Sequence, residues 1–202
     1  MSPYQHGFMK RRSTMTNLLE FSSKVLNGFA SYEQTDVIYT DFSKAFDTVN
    51  HNLLLLKLEK MGFSLPLLAW IKSYLLFRVQ FVQFNDILSS NVINVTSGVP
   101  QGSHLGPLLF TLFINDLPSI IANSNILMYA DDVKLFLPIN QLTSSYLNCL
   151  LEWCNCNRLF LNCSKCKVMS FSRRYLLFTS YTFGNSNLER VYFSRSRNND
   201  GS

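Results

Sequence analysis

Ile126-Leu127-Met128-Tyr129-Ala130-Asp131-Asp132-Val133-Lys134-Leu135-Phe136-Leu137 is the stretch around which the chain is organised. An apolar run, two adjacent carboxylates and an alternating apolar run read as strand, tight turn, strand. Like charges side by side at such a tip resist joint ionisation, and a divalent cation removes that cost. Hard cations such as Mg²⁺ favour carboxylate oxygens, and a tight turn holds them rigidly enough to ligate. Asp is also common in turns for local hydrogen-bonding reasons, so the pair alone reads as an ordinary hairpin tip sooner than as a metal site. A third carboxylate changes the balance. Val37-Ile38-Tyr39-Thr40 is a short β-branched and aromatic run that ends directly in Asp41.

Working outward, Ser13-Thr14 precedes a pattern in which Leu18, Leu19, Val25, Leu26 and Phe29 recur near helical spacing. Lys10-Arg11-Arg12 sits at the start of that helix, where cations oppose the macrodipole. A solvated face and a phosphate contact are both open for it. Leu53 to Met61 predicts a helix stopped by Gly62, and a second runs from Ser64 to Phe77 with Pro66 in its first turn. Val79 to Phe84 and Asn91 to Val95 alternate as strands of a hairpin through Asn85-Asp86. Ser97 to Gly102 is a loop, Pro107 opens a helix over Leu108 to Asp116, and Pro118 ends it. A helix from Leu142 to Asn157, a strand from Lys167 to Phe171 and a frayed polar end, Ser194 to Ser202, complete an α+β pattern.

Composition sets outer bounds. The chain has 202 residues, 47% of them hydrophobic, enough to bury a core, so disorder is excluded. The formal charge of +5 comes with only 15% charged residues, a modest basic excess compatible with nucleic acid. Leu105 to Leu117, the longest apolar run, is interrupted by Gly106, Pro107, Thr111, Asn115 and Asp116, short of the ~20 apolar residues of a spanning helix. Neither that run nor the N-terminus predicts a membrane segment or signal peptide, and an intracellular protein, nuclear or cytoplasmic, is expected. Five cysteines fall between Cys149 and Cys166 and read as reduced core thiols rather than a zinc site.

Three carboxylates from two strand ends, Asp41 with Asp131 and Asp132, can hold two Mg²⁺ ions about 4 Å apart. Such a pair suits in-line phosphoryl transfer, which becomes nucleotide polymerisation when the nucleophile is a primer 3′-hydroxyl.

Thr40-Asp41-Phe42-Ser43-Lys44-Ala45-Phe46-Asp47, the loop Ser97 to Pro107, and Tyr129-Ala130-Asp131-Asp132 closely resemble motifs A, B and C of reverse transcriptases. More narrowly, they are similar to those of non-LTR, jockey-like retrotransposons. Asn162 to Phe171 resembles motif D, and Gln5 to Thr14 a fingers motif, so the resemblance runs from about Tyr4 to Val191. It implies a right-hand polymerase palm, an antiparallel sheet backed by helices, with partial fingers and no thumb. Residues 1–36 would be the partial fingers, 37–172 the palm with motifs A to D, and 173–202 the start of a primer-grip region and a divergent tail.

The resemblance also assigns roles. Asp41, Asp131 and Asp132 would be the catalytic and metal-binding carboxylates, with the Phe42 carbonyl near a metal, for two Mg²⁺ ions or substituting Mn²⁺. Phe46 would lie under the incoming sugar and exclude a ribose 2′-hydroxyl, although its residue type equally suits a core aromatic. Gln101 and Gly102 would lie along the nucleotide and template, where glycine lets backbone approach; an ordinary turn is the other reading. Lys165 would neutralise or protonate the leaving pyrophosphate, or be a solvated lysine. Asp47 is structural. Arg11 stands where relatives carry glycine, which should distort the fingers turn. The implied partners are an RNA template, a DNA primer and dNTPs. The alternatives are an inactive transposon remnant that folds or binds nucleic acid without polymerising, and an RNA-dependent RNA polymerase.

Overall fold

The structure is a computed structural model describing residues 1–31, 33–85, 87–88, 92–121, 126–138, 143–173 and 176–191; the polar end at 194–202 lies outside them. Its elements run α1 (Thr14–Ala30), β1 (Thr35–Thr40), α2 (His51–Lys60), α3 (Leu65–Leu75), β2 (Arg78–Gln80), β3 (Gln83–Phe84), β4 (Ile87–Leu88) and β5 (Ile93–Val95). Then follow α4 (Leu105–Phe113), α5 (Leu117–Ile120), β6 (Ile126–Tyr129), β7 (Asp132–Pro138), α6 (Thr143–Asn157), β8 (Lys167–Phe171), β9 (Thr182–Phe183), β10 (Ser186–Asn187) and β11 (Glu189–Val191).

The fold is a mixed α/β arrangement around a five-stranded sheet in the order β11-β8-β1-β7-β6. β1 lies at its centre, antiparallel to β7 from Thr35↔Pro138 to Thr40↔Val133 and antiparallel to β8 from Thr35↔Phe171 to Tyr39↔Lys167. β6 and β7 form the expected hairpin, closing at Tyr129↔Asp132. The sheet is not wholly antiparallel, as the sequence reading had it: β11 returns beside β8 in parallel. Three residues with no distinctive pattern carry no signal of strand direction.

Side chains two apart on a strand share a face, and this alternation divides the core. Ile38, Ile126, Met128, Val133 and Leu135 join the main core, with Leu54 and Leu58 of α2, Leu109 and Phe110 of α4 and Leu147 and Leu150 of α6. Their sequence neighbours Val37, Leu127 and Phe136 face the other way and pack with Phe21, Val25 and Phe29 of α1. Helices thus cover both faces of β1. The Lys57 ammonium links α2 to the far helices, donating to Asp116 Oδ1 at 2.7 Å and lying over the Trp153 ring.

Local chemistry accounts for most boundaries and corrects others. Ser13 caps α1 in a reciprocal capping box with Thr16. Of the apolar residues on α1, Val25 is buried, but Leu18, Leu19 and Leu26 are exposed. The run Val79 to Phe84 is not one strand: Arg78–Gln80 pairs with β5, and Gln83–Phe84 pairs separately with β4 around the turn that begins at Asn85. Pro107 does not start its helix, which begins at Leu105, and Pro118 falls within α5 instead of ending α4. Proline is tolerated in a first turn because those N–H groups lack helical partners. Arg11 takes φ 62, a left-handed conformation that glycine favours, at a cost of about 1 kcal/mol. Among the cysteines, Cys154 and Cys166 are buried, but Cys156 is exposed, against the expectation of a core thiol. No described helix is long and apolar enough to cross a membrane.

Candidate active site

The candidate site forms where β1 ends beside the β6–β7 turn. The register that closes at Thr40↔Val133 leaves Asp41 and Asp132 as the adjoining residues of neighbouring strands. Asp131 occupies the two-residue turn with Ala130, whose φ of 54 is left-handed. Hairpin turns of this length need positive φ at a central residue to match strand twist, and alanine takes it with strain. Burial pushes the Asp131 carboxyl above its ordinary range; the Asp132 and Asp41 charges push the same way, against a backbone hydrogen bond.

A cavity of about 400 Å³ opens over this corner. Asp41, Phe42, Phe46, Gln101, Asp131 and Lys165 all line it, so six of the sequence-predicted positions converge. Asp132 and Gly102 are exposed and do not line it; Gly102 keeps φ +76. The Lys165 ammonium lies 3.7 Å from Asp41 Oδ2. Phe42 is buried with its ring near Trp153, while Phe46 stacks on Phe110 with centroids 4.4 Å apart. Phe46 is therefore both a core aromatic on one side and a cavity wall on the other.

Backbone and thiol contacts hold Asp41 from the side of β8. Its carbonyl accepts from the Asn162 N–H at 2.8 Å, and its N–H donates to Cys166 Sγ at 3.4 Å. Ser43 N–H donates to the Phe160 carbonyl at 2.7 Å, and Phe42 bridges Leu161. Burial pushes the Cys166 thiol up, which keeps it a neutral acceptor.

The segment after Asp41 has a second task that the sequence did not disclose. The N–H groups of Gly98 and Val99 donate to the carbonyls of Val49 and Phe46, both at 2.8 Å. The Ser97 hydroxyl donates to the Asp47 carbonyl, the buried His51 ring bonds the Gly98 carbonyl at 2.8 Å, and Gln101 Nε2 donates to Asp47 Oδ1 at 2.7 Å. At Gly98, with φ +84, a Cβ would come within 2.7 Å of the Asp47 backbone. Residues 46–51 are thus the platform on which the glycine-bearing loop docks. Asp47, read from the sequence as structural, accepts from Ser97 and Gln101 and also lines the cavity; His51 lies before the helix expected from Leu53, and no periodicity or spacing singles it out.

Among the described residues, no three acidic, thiol or imidazole groups are close enough to enclose a metal ion. The donor chemistry nevertheless suits a hard cation: carboxylate oxygens on rigid strand ends, with Asp131 made costly to ionise first by burial and then by its acidic neighbours.

With this geometry, the relatives are decisive. The sequence profile described as reverse transcriptase (RNA-dependent DNA polymerase) matches residues 1–180. The chain belongs to the reverse transcriptase family. It is 32% identical over 75% of its length to the probable RNA-directed DNA polymerase from transposon BS of Drosophila melanogaster, covering 18% of that relative. To the RNA-directed DNA polymerase from mobile element jockey of the same fly it is 29% identical over 85% of its length, covering 20%. The chain thus spans about a fifth of these curated relatives, and the jockey-like, non-LTR resemblance holds. Among solved structures, this reverse transcriptase fold resembles apo telomerase from Candida tropicalis, with TM-score 0.64 at 15% identity over 92% of the chain and 39% of telomerase. Telomerase from Candida albicans gives TM-score 0.63 at 13% identity, over 89% of the chain and 33% of that protein.

Proposed function

We propose that this reverse transcriptase domain is the palm portion of an RNA-directed DNA polymerase, centred on residues 37–172, that adds dNTPs to a DNA primer on an RNA template. The observation that carries the reading is the convergence of Asp41 and Asp131, from separate strand ends, on one cavity with Phe46, Gln101 and Lys165. Asp41 and Asp131, with Asp132 beside them, would hold Mg²⁺, or Mn²⁺ in its place. Bound there, divalent ions supply Lewis-acid activation of a hydroxyl and charge neutralisation on a triphosphate.

The chain's own residues do the remaining work. Lys165, at the open side of the cavity and 3.7 Å from Asp41, brings a cation toward the leaving pyrophosphate and can give it a proton. Phe46, fixed by Phe110, walls the cavity where a ribose 2′-hydroxyl would fall and so favours deoxynucleotides. Gln101, held by Asp47, and Gly102, with no side chain to obstruct an approach, line the path of nucleotide and template. The basic balance of +5 favours a phosphate backbone as partner.

The test is extension of an oligo(dT) primer on poly(rA) with dTTP and Mg²⁺ by the wild-type chain and by Asp131→Asn. Extension by the first and none by the second is expected. Equal extension by both would remove the catalytic assignment, and nucleic-acid binding with no extension by either would favour a non-polymerising remnant.

A further inference from the structure

We infer that Gln5 is a positioning residue for the turn that carries Asp131 and Asp132, an inference that rests on the polymerase reading of that turn. Residues 4–6 extend the sheet beyond β6: Met128 N–H donates to the Tyr4 carbonyl and His6 N–H to the Met128 carbonyl, both at 2.9 Å. Gln5 lies between them, 2% exposed, with its side chain running to the turn. Its Oε1 accepts from the Ala130 N–H at 2.8 Å and the Gly7 N–H at 2.8 Å, while its Nε2 donates to the Ala130 carbonyl at 3.2 Å.

This geometry solves a local problem. In the hairpin, Tyr129 pairs with Asp132, so the N–H and C=O of Ala130 project from the turn with no strand partner. Ala130 is buried, and buried backbone groups need partners. A neutral carboxamide supplies both, accepting with one arm and donating with the other, as a neighbouring strand would. The Ala130 carbonyl belongs to the peptide plane that leads into Asp131, so fixing that oxygen fixes the direction in which Asp131 leaves the turn. The clasp also resists relaxation of Ala130 from its left-handed φ.

The surroundings are shaped for this approach. A Cβ on Gly7 would lie 2.3 Å from the Ala130 nitrogen, so only glycine lets the segment close over the turn. Asn17 of α1 donates from Nδ2 to the Met128 carbonyl at 3.1 Å and accepts from Lys134 at 2.9 Å, bracing the hairpin just behind. Glutamine alone among side chains of this length combines both hydrogen-bonding roles without charge; glutamate only accepts when ionised, and methionine does neither.

The test uses the full chain carrying Gln5→Met or Gln5→Glu. Amide exchange at Ala130 and the Asp131 and Asp132 amide chemical shifts are read by NMR, alongside steady-state primer extension. In Gln5→Met, Ala130 exchange should accelerate about 100-fold, the two aspartate amides should shift, and kcat should fall about tenfold with the dTTP KM within about twofold. Gln5→Glu should keep Ala130 protected yet still lose kcat, because only the accepting arm remains; it also carries the test if the methionine variant fails to fold. Wild-type exchange and aspartate shifts in a folded variant would overturn the inference, as would lost protection with unchanged kcat. A wild-type chain that does not extend primers counts against the polymerase reading, while the exchange and shift data decide the clasp.

Discussion

The two ends of β1 carry one aspartate each, and their surroundings are opposite. Asp36, at the start, is 0% exposed and fully engaged: Gln34 Nε2 and the Tyr181 hydroxyl each donate to it at 2.8 Å, and Arg190 Nη1 at 3.0 Å. Burial, with Asp36 beside it, pushes the Tyr181 hydroxyl pKa up, so the phenol keeps the proton it donates. Asp41, at the other end of the strand, has a 36% exposed side chain that faces the cavity, with Lys165 at 3.7 Å. A carboxylate whose lone pairs are filled by its own chain holds the fold together. One that is rigidly mounted and left open is available to a ligand.

The largest effect should come from the open end. On the proposed polymerase reading, replacing Asp41 or Asp131 by Asn should remove on the order of 4 kcal/mol of charge stabilisation, about a thousandfold in extension rate. Folding should not suffer. Because burial raises the Asp131 pKa in the folded chain, the folded state binds more protons between the unfolded value, about 3.9, and its own. The favourable protonated form is fully present below the unfolded pKa and is lost as pH rises through the folded one. Asp131→Asn should therefore melt at or above the wild-type temperature at neutral pH, with the gain vanishing in acid. A variant that unfolds at neutral pH would place Asp131 in the same class as Asp36.

The closed end should show the reverse. Asp36→Ala leaves the Arg190 guanidinium, 10% exposed, without its carboxylate, and should cost about 3–5 kcal/mol in urea denaturation. Any loss of extension by Asp36→Ala should follow the fraction unfolded. An Asp36 variant that is stable and inactive would erase the distinction between the two ends.

This contrast was only half visible in the sequence. Asp41 and the Asp131-Asp132 pair could be read because strand alternation and turn chemistry are local, and the loop at 97–102 because its glycines are. Asp36 falls just before the Val37 to Thr40 run and carries no signal of its own: its partners Tyr181 and Arg190 lie 145 and 154 positions away, and β11 carries no pattern that announces its pairing. The same distance hid Gln5 from Ala130, 125 residues apart, and His51 from Gly98. Apolar spacing on α1 overstated its buried face, since periodicity gives a direction but not the area of the surface it meets.

Phe46 tests the cavity wall with a smaller effect. It stacks on Phe110, so Phe46→Val should cost about 1–2 kcal/mol of stability while raising ribonucleotide use about tenfold, measured as the ratio of kcat/KM for rUTP and dTTP. Unchanged selectivity with the stability loss would make the ring a core residue alone.

The smallest effect is the sharpest check on the open end. Lys165 and Asp41 form an ion pair between side chains 67% and 36% exposed, and solvent and salt screen such pairs. Lys165→Ala should change unfolding free energy by less than about 0.5 kcal/mol, with the difference fading at high salt. Its influence on extension should be separate, appearing in kcat through the leaving group and leaving primer affinity unchanged. If instead Lys165→Ala destabilises the chain as Asp36→Ala does, Asp41 is already satisfied by its own chain and is not open for a ligand.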